Sequence, residues 1–431
     1  MNVTLRRTMM ACVLALILAA PLAAGAGSAG AQSSVVGPGE SIQKAINAAD
    51  PGDTIVVRGV HHEDVAIRKD GIKLRGDDAV IKPPAKADSP CAPEAICILG
   101  DMNFQTGEIT GPRVSDVSVS GFTIRDFQER EQGDLTAFAI DVLHARNATV
   151  AGNRAIGNAA GIGLTSRSIN TTIAKNHVIG GPETAEHGII VESSSRTKIV
   201  NNVVRSNVFG IDVNKSPNTT IAGNDSIGNV ADGFGVSDSP GTKILSNVAR
   251  RNDTVGIFLG DTQRANTKVV GNDLSGSDFG IYVSNSQGGS FAANEVHNNC
   301  AGVWFTSDFE PGPPSGNFAV KGNTVKNNTL SCAAPPPALS GLGIGLFGTR
   351  GMEVKANHLS GNVPSGPSVV SGGVVVGVDP LEGGTTKPTN NSVIGNHFGR
   401  NKPDIFWDES GSGNRFVGNL CDTSVPSSLC N

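Results

Sequence analysis

The chain has 431 residues, with 34 basic and 39 acidic side chains and a formal net charge of −5 at pH 7. An acidic chain without a basic stripe cannot neutralise a row of phosphates, so this composition argues against a nucleic-acid partner. After the first 31 residues, no segment is apolar over a length sufficient to cross a bilayer, and we expect no membrane span in the mature chain.

Residues 1–31 have the pattern of a secretory signal peptide. Arg6 and Arg7 supply a positive start, residues 9–20 form a short apolar run, and Ala29-Gly30-Ala31 offers a small-residue cleavage site. The apolar run is too short to favour a permanent membrane anchor. We therefore expect a secreted or extracytoplasmic protein, and we expect it to be a monomer.

The next segment, residues 32–50, is predicted to form an N-terminal cap. Ile42, Ala45, Ile46 and Ala49 are spaced as the apolar face of a short amphipathic helix. Such a helix can cover the open end of a stacked structure, which needs protection from further strand pairing.

From Asn153 to Asn419, an asparagine returns at intervals of 22 to 39 residues. The recurring positions are Asn153, Asn176, Asn202, Asn224, Asn247, Asn272, Asn294, Asn323, Asn357, Asn396 and Asn419. A period in the low twenties, with glycine and β-branched residues and no helical pattern, predicts a stacked solenoid.

One repeat, "NTTIAGNDSIGNVADGFGVSDSP" at 218–240, shows how each turn is built. A short alternating segment ends in the asparagine, a second polar bend follows five residues later, and a Gly-Ile-x-Val type of segment closes the repeat. Strands this short must pair with their equivalents above and below, which predicts a parallel coil of about 12 turns. We expect each asparagine to take a left-handed backbone conformation at a bend and to hydrogen-bond along its column.

These repeats, with the opening "SIQKAINAADPGDTIVVRGVHHEDVAIRKDGIKLRG", resemble the right-handed parallel β-helix of the pectin-lyase-like superfamily. The resemblance covers residues 35 to about 425. It implies an all-β chain, with a single-stranded right-handed parallel β-helix at 51–425 and a C-terminal tail at 426–431. Because the superfamily is functionally broad, no activity follows from the fold.

Six cysteines follow the predicted signal peptide, and an even number in an exported chain predicts disulfides. The simplest pairing joins neighbours: Cys91–Cys97, Cys300–Cys332 and Cys421–Cys430. Sequence alone does not fix this connectivity, and buried free thiols are the alternative. None of the cysteines has a metal-ligand spacing.

Three aromatic residues occupy the outward x position of successive turns, at Phe258, Tyr282 and Trp304. Aromatic rings stacked at strand spacing predict a substrate-binding platform, because sugar rings pack their C–H faces on aromatic faces. The alternative is that these rings pack on one another beneath a loop.

A polar group lies on neighbouring turns, with Asp212 and Lys215 on one turn, His187 and Glu192 on the turn before, and Asp232 on the turn after. Superfamily members that cleave acidic polysaccharide by β-elimination use a basic side chain as base and carboxylates that hold calcium. The resemblance thus implies Lys215, Asp212 and His187 as catalytic candidates, with Glu192 and Asp212 as calcium ligands. A solvated rim of charges is the alternative.

The segment "FGIDVNK" at 209–215 is in frame with the Tyr-Gly-Phe-Asp-Pro-His-Asp motif of mannuronan C5-epimerases. Gly210 and Asp212 are retained, but Asn214 stands where the motif has histidine and Lys215 where it has the final aspartate. An epimerase mechanism that relies on that histidine is therefore not expected.

Insertions gather along one side of the predicted coil, at 306–316, 329–342, 363–372 and 377–388. Insertions on one face of a solenoid often border a binding groove. We expect a groove near Trp304 with walls at Asp308, Arg350 and Asp379, the alternative being tolerated variation in loop length.

Together these patterns predict an exported β-helix protein that binds polysaccharide and at most processes it, as a uronate lyase would. Two alternatives are a non-catalytic carbohydrate-binding or cell-surface module and an accessory β-helix protein of the envelope. The sequence leaves the cofactor unknown, with calcium as a candidate.

Overall fold

The computed structural model describes residues 31–86, 89–90, 92–128, 137–181, 186–307, 314–332, 338–381 and 384–430. The predicted signal peptide lies outside the described residues except for Ala31, and Cys91 and Asp308 lie outside them as well. Within the described part of the chain, no helix is long and apolar enough to span a membrane.

The predicted capping helix forms at Ile42–Ala48 and closes the N-terminal end of the coil. Ser41 caps it, and its hydroxyl accepts a hydrogen bond at 3.1 Å from a backbone N–H of the first turn. The same hydroxyl donates to Glu63 at 2.6 Å, and the other carboxylate oxygen of Glu63 accepts from the N–H of Ile42 at 2.8 Å. Ile42 and Ile46 are buried, so the helix presents its apolar face to the core.

The first face of the coil is a parallel sheet of strands that precede the recurring asparagines. Near the N-terminus, three longer strands continue round the corner into the second face. The strands of the first face, with the three longer ones, are Ser33–Val36, Thr54–His62, Lys73–Lys82, Ser118–Arg125, Thr149–Ala151, Thr172–Ala174, Lys198–Val200, Thr220–Ala222, Lys243–Leu245, Thr267–Val270, Gln287–Ala292, Gly316–Lys321, Glu353–Lys355, Ser392–Ile394 and Arg415–Val417.

The second face consists of three-residue strands that follow the asparagines and pair in parallel from turn to turn. Its strands are Arg154–Ile156, His177–Ile179, Val203–Arg205, Asp225–Ile227, Val248–Arg250, Asp273–Ser275, Glu295–His297, Thr324–Lys326, His358–Ser360 and His397–Gly399.

The third face contains the Gly-Ile-x-Val strands, and within the described residues it has 14 strands. They are Val65–Ile67, Ile96–Leu99, Phe138–Leu143, Ala160–Thr165, His187–Glu192, Phe209–Asn214, Asp232–Ser237, Val255–Gly260, Phe279–Ser284, Ala301–Thr306, Leu342–Phe347, Gly372–Gly377, Ile405–Trp407 and Ser424–Val425. The all-β coil is confirmed. It is longer than predicted because the first three turns carry no recurring asparagine.

Two small elements complete the fold. Val114–Ser115 pairs in parallel with Ala145–Arg146, outside the three faces. A short 3₁₀ helix at Ser427–Cys430 follows the last strand and forms the C-terminal tail.

Inward-facing aliphatic and aromatic side chains stack turn on turn to form the core. Ile189, Ile211, Phe234, Ile257 and Ile281 are consecutive members of one such column, and each is at most 1% exposed. Full burial of a side chain of this size contributes roughly 1.5–3 kcal/mol, so the repeated column is a main source of stability.

The recurring asparagines form a buried ladder at the corner between the first and second faces. Asn224 is typical: its Nδ2 donates to the carbonyl of Ile199 at 2.8 Å and to Oδ1 of Asn247 at 3.0 Å. Its backbone N–H also donates to Oδ1 of Asn247 at 2.9 Å. The hydrogen bonding predicted along the column is therefore confirmed.

The prediction that these asparagines adopt the left-handed conformation is wrong. The residue before each of them turns the corner instead, with φ between +51° and +67°. These preceding residues are Gly152, Lys175, Asn201, Gly223, Ser246, Gly271, Ala293, Gly322, Ala356, Gly395 and Gly418. The asparagine itself must keep its amide pointed into the core, which requires the turn to be made one residue earlier.

The other two corners have ladders of their own. The second polar bend is a second asparagine ladder, in which Asn207 donates from its backbone to Asn229 and Asn229 to Asn252, each at 3.1 Å. The third corner is a ladder of hydroxyls, in which the N–H of Ser216 donates to Ser239 Oγ at 2.9 Å. All three corners thus satisfy buried backbone N–H groups with short polar side chains.

Two of the three predicted disulfides are present among the described residues. Cys300 pairs with Cys332 across a Cα–Cα distance of 6.0 Å, and Cys421 pairs with Cys430 across 5.4 Å. Because Cys91 is outside the described residues, the Cys91–Cys97 pairing stays a prediction.

Candidate functional site

The outward side of the third face carries the chemistry that the sequence pointed to. Its x positions lie in one column in strand register, as predicted. The column reads Cys97, Asp141, Gly163, Ile190, Asp212, Gly235, Phe258, Tyr282, Trp304, Gly345, Val375 and Phe406. Adjacent members are one strand spacing apart, about 4.8 Å.

Four of the predicted polar residues form a group that we call the carboxylate–histidine cluster: His187, Glu192, Asp212 and Asp232. They lie on three successive turns and are all partly buried. His187 and Glu192 stand at opposite ends of one strand, and Asp212 lies in the middle of the next. The cluster therefore spans the width of the third face.

Burial raises the pKa values of the two aspartates of this cluster. Burial raises the pKa of Asp232 from 3.8 to about 7, and the nearby Asp212 raises it further. Burial also raises the pKa of Asp212, and Glu192 acts in the same direction, whereas His187 opposes the shift. These groups exchange protons nearer to neutral pH than ordinary carboxyls do, as acid–base groups in enzymes must.

Glycine at position 235 leaves room for the two aspartates. A Cβ atom at Gly235 would lie 2.9 Å from Oδ1 of Asp212 and 3.8 Å from Oδ2 of Asp232. The two carboxyl groups therefore lean over the same bare stretch of backbone, which we call the Gly235 cradle. The sequence did not identify this cradle, although the glycine at an x position was its signal.

His187 is positioned by packing more than by hydrogen bonding. Its ring stacks on Phe209 of the next turn, with centroids 5.2 Å apart and an interplanar angle of 20°. Its Nε2 lies 3.7 Å from a carboxylate oxygen of Glu186, and its buried Nδ1 has no hydrogen-bond partner among the described residues. A stacked imidazole with a free nitrogen beside two carboxyl groups can accept a proton.

Lys215 does not join this cluster. It follows the strand at a bend with φ of +47°, and its side chain is exposed. Within the described parts of the chain, no hydrogen bond or ion pair connects its ammonium group to Asp212. The predicted Lys215–Asp212 pair is therefore not brought together, whereas His187 and Asp212 are.

The predicted calcium ligands do not form a compact set. In the described residues, one group of at least three His, Cys, Asp or Glu side chains has its ligand atoms within 4.8 Å of one another, and it consists of Asp278, Cys300 and Cys332. Glu192 and Asp212 offer the oxygen donors that calcium prefers, but they are not part of such a group. Calcium at these residues stays a prediction without a preformed site.

Trp304, one of the three residues of the predicted aromatic platform, is covered by other side chains. Trp304 is 0% exposed, packed against Phe347 with ring centroids 4.2 Å apart. Its Nε1 donates to Oδ2 of Asp379 at 3.3 Å, and Thr306 donates to the same oxygen. Trp304 therefore cannot offer a ring face to a substrate in this structure, because the segment after the strand at Gly372–Gly377 folds over it.

Phe258 and Tyr282 remain half-buried in the same column, with ring centroids 6.1 Å apart and an interplanar angle of 16°. They lie next to the Gly235 cradle, since Phe258 is in register with Gly235. These two rings are therefore the accessible part of the predicted platform, and they adjoin the carboxylate–histidine cluster.

A groove does lie over the C-terminal turns, but not where it was predicted. Its volume is about 500 Å³, and Phe347, Val375 and Phe406 line it together with Pro380. The predicted wall residue Asp379 is instead buried against Trp304. The groove is largely apolar and has few groups that could act on a ligand chemically.

A second acidic pair, Glu94 and Asp141, lies nearer to the N-terminus. Both side chains are almost fully buried, at 2% and 3% exposure. Burial raises the pKa of Asp141 to about 7 and raises that of Glu94 well above its usual value, with Asp141 adding to the latter shift. Glu94 accepts a hydrogen bond from the backbone of Phe138, whereas the buried Oδ1 of Asp141 has no hydrogen-bond partner among the described residues.

Comparison with known families agrees with the fold. The family model described as "Right handed beta helix region" matches residues 183–284 and 261–398, which together span half of the chain. The model described as "Periplasmic copper-binding protein (NosD)" matches residues 120–230. No curated protein sequence matches this chain.

Two solved structures illustrate the similarity. The mannuronan C-5 epimerase AlgE6 A-module of Azotobacter vinelandii superposes with a TM-score of 0.56 and 14% identity, over 89% of this chain and 93% of that one. PfbA, a surface adhesin of Streptococcus pneumoniae, superposes with a TM-score of 0.50 and 12% identity, over 87% of both chains. At these identities, the similarity concerns the fold alone. Membership of the pectin-lyase-like superfamily in particular stays a prediction.

Proposed function

The chain belongs to the family of right-handed β-helix regions, and we propose that it is an exported protein that binds a polysaccharide strand across its third face, at the carboxylate–histidine cluster. The observation that carries this proposal is the Gly235 cradle. There the carboxyl groups of Asp212 and Asp232, both with raised pKa values, lie against the backbone of Gly235, and the buried Nδ1 of His187 has no hydrogen-bond partner among the described residues.

The elevated pKa values explain how an acidic site can accept a sugar acid. A carboxyl group that stays protonated near neutral pH is uncharged and can donate a hydrogen bond. Asp232 in this state can donate to the carboxylate of a uronate residue instead of repelling it. The half-buried rings of Phe258 and Tyr282, on the adjacent turns, offer apolar surface for a neighbouring sugar.

In a lyase-like reaction, a base removes the C5 proton next to the sugar carboxylate, a double bond forms between C4 and C5, and the C4–O glycosidic bond breaks, its oxygen leaving as a hydroxyl after taking up a proton. We assign this role to His187 rather than to Lys215, because the imidazole is held within the cluster and the lysine side chain is not. Asp212 would then stabilise the imidazolium that forms, since it already interacts electrostatically with His187. Calcium is not required by this arrangement.

Two comparisons support the proposal without deciding it. The AlgE6 module, which has a similar fold, is named as an epimerase of mannuronan, a polysaccharide. The NosD model is described as periplasmic, in agreement with the signal-peptide pattern of residues 1–31. We extend both features to this chain as part of the proposal.

The test is to titrate the mature protein with polymannuronate, polygalacturonate and a neutral glucan, with and without calcium. We expect a uronate polymer to bind and the variant D212N to weaken that binding at least tenfold. Absorbance from an unsaturated product should appear with the native protein and disappear in H187A. K215A serves as the matched control and should leave both measurements unchanged.

Other outcomes separate the alternatives. Binding without product, weakened by D212N, would identify a non-catalytic carbohydrate-binding module. Loss of product in K215A but not in H187A would contradict the assignment of the base. If none of the polymers binds, the proposal is wrong.

A second candidate function is that of an accessory protein of the envelope that handles copper. One observation favours it: the NosD match at 120–230 includes the turns of His187 and Asp212. Titration with Cu²⁺ would test this function. The native protein should bind one equivalent of Cu²⁺, and the variant H187A should bind none.

A further inference from the structure

A separate group of potential ligands lies away from the proposed sugar site. Asp278 and Cys300 precede consecutive strands of the third face, and Cys332 comes from the loop inserted after Thr324–Lys326. One carboxylate oxygen and the two sulfur atoms all lie within 4.8 Å of one another. Two of the three side chains are partly accessible, and Cys300 is fully buried.

The fold holds these three residues together independently of the disulfide. The N–H of Cys300 donates to the carbonyl of Ser277 at 3.2 Å, and the N–H of Ala301 donates to that of Asp278 at 2.9 Å. The N–H of Leu330 donates to the carbonyl of Asn299 at 3.1 Å and ties the segment of Cys332 to the turn of Cys300. Within that segment, Cys332 makes two backbone hydrogen bonds with Leu339, at 3.0 and 2.9 Å. Breaking the S–S bond therefore leaves backbone contacts that keep both sulfur atoms near Asp278.

We propose that Asp278, Cys300 and Cys332 form a redox-gated binding site for a thiophilic d¹⁰ cation, either Zn²⁺ or Cu⁺. Two thiolates and a carboxylate are three of the four ligands that a tetrahedral Zn²⁺ site needs, with water as the fourth. Cu⁺ selects the soft thiolates and has little use for the carboxylate. The site lies outside the range of the NosD match and does not depend on the proposed sugar-binding function.

The redox state of the Cys300–Cys332 disulfide controls whether the site can bind a cation. A dithiol reductant, such as the reduced cysteine pair of a thiol–disulfide oxidoreductase, supplies two electrons and two protons. The S–S bond breaks, Cys300 and Cys332 become thiols, and the reductant leaves as its own disulfide. The cation then replaces the two thiol protons, which are released to water. In the oxidised chain neither sulfur is a thiolate, so the site is closed.

The experiment uses the mature chain with Cys421→Ser and Cys430→Ser, which removes the other described pair of thiols. After reduction and removal of the reductant, Cd²⁺ alone is titrated while the ultraviolet thiolate-to-metal band is recorded. Competition with Zn²⁺ and a separate titration with Cu⁺ follow. We expect one bound equivalent per chain, and none at this site before reduction.

Two variants in that background test the ligands. C300S/C332S should abolish the bound equivalent. Because this variant keeps Cys91 and Cys97, it also shows whether those two residues bind the cation. D278N keeps both cysteines, and we expect it to weaken Cd²⁺ and Zn²⁺ binding at least tenfold while changing Cu⁺ binding less than threefold.

Three results would overturn the proposal. The first is binding that survives in C300S/C332S, and the second is a reduced chain that loses its β circular-dichroism spectrum. The third is a D278N variant that binds all three cations as the parent does. If D278N weakens only Cu⁺, the assignment of the carboxylate as a Zn²⁺ ligand is wrong.

Discussion

The middle turns and the C-terminal turns of this β-helix use the same outward column in opposite ways. The repeats that contain Asp212 and Gly235 keep short periods of 22 and 23 residues, and no inserted loop among the described residues lies over them. At Trp304 and Val375 the repeats lengthen to 29 and 39 residues, and the described parts of the added segments pack on the column and bury it. Repeat length therefore decides whether an outward residue contacts a ligand or a loop.

The carboxyl groups of the two regions also differ in the hydrogen-bond donors that surround them. Asp379, in the covered region, accepts hydrogen bonds from Trp304, from Thr306 and from the backbone of Leu381. Asp232, in the open region, is partly buried beside another carboxyl group, and its pKa rises to about 7. A buried carboxyl group without compensating donors reduces stability, which is typical of functional sites.

The largest expected effect is that of W304A. Truncation of this fully buried ring leaves a cavity and removes its contact with Phe347, which should lower the free energy of unfolding by about 3–5 kcal/mol. F258A, a matched change in the open part of the same column, should cost only about 1 kcal/mol because Phe258 is half-buried. Denaturant unfolding of both variants measures the difference. Equal costs would contradict the contrast between covered and open turns.

The asparagine ladder should contribute equally to stability in the covered and the open turns. Asn224 lies in a regular turn and Asn357 in a lengthened one, yet both donate to a carbonyl oxygen of the preceding turn and to the next ladder asparagine. N224A and N357A should each cost about 2–3 kcal/mol, because each leaves buried groups unpaired. The same unfolding measurement applies, and a difference between the two above about 1 kcal/mol would show that the loops share in stabilising the ladder.

The stability of the protein should depend on pH through Asp232 in the open region. Asp232 has a folded pKa of about 7 against an ordinary value of 3.8. Asp232 contributes fully to the free energy of unfolding when the pH is below its ordinary pKa. That contribution is lost as the pH rises toward 7, because the folded state then retains a proton that the unfolded state has released. D232N should therefore be more stable than the native protein at pH 8, by about 1–3 kcal/mol, with little difference at pH 4.

D379N is the control for this prediction. It removes the acceptor that serves three donors, and we expect it to destabilise the protein at pH 8 by about 1–3 kcal/mol. Thermal melts from pH 4 to pH 8 check both variants. A D232N variant that is destabilised at pH 8 would mean that Asp232 is well paired in the folded state.

The smallest effect on stability is expected for G235A, which fills the cradle. Its Cβ atom would approach Oδ1 of Asp212 to 2.9 Å, and the carboxyl group can rotate away, so unfolding should change by less than about 1 kcal/mol. Binding of a uronate polymer should fall about tenfold. G399A is the matched control, since its Cβ atom would meet only Ser360 at 4.0 Å. Unchanged binding in G235A would place the sugar elsewhere on the protein.

The site was predictable from the sequence in part. The strand alternation correctly assigned the outward column, and with it the proximity of His187 to Asp212, because parallel register follows from the repeat itself. The pairing of Lys215 with Asp212 failed because Lys215 lies past the end of the strand, where the chain turns a corner. The repeat pattern gave no information on the direction of a side chain at that corner.

The sequence by itself determined the architecture: a period, an alternation and a buried asparagine suffice to stack the turns, because each repeat can satisfy its backbone only through its neighbours. The tertiary structure decided which outward residues are accessible. Trp304 and Asp212 occupy equivalent positions in the repeat, and the folded path of the inserted segments distinguishes the fully buried ring from the partly exposed carboxyl group. That path depends on contacts between residues distant in the chain, such as Trp304 with Asp379, which no local pattern encodes.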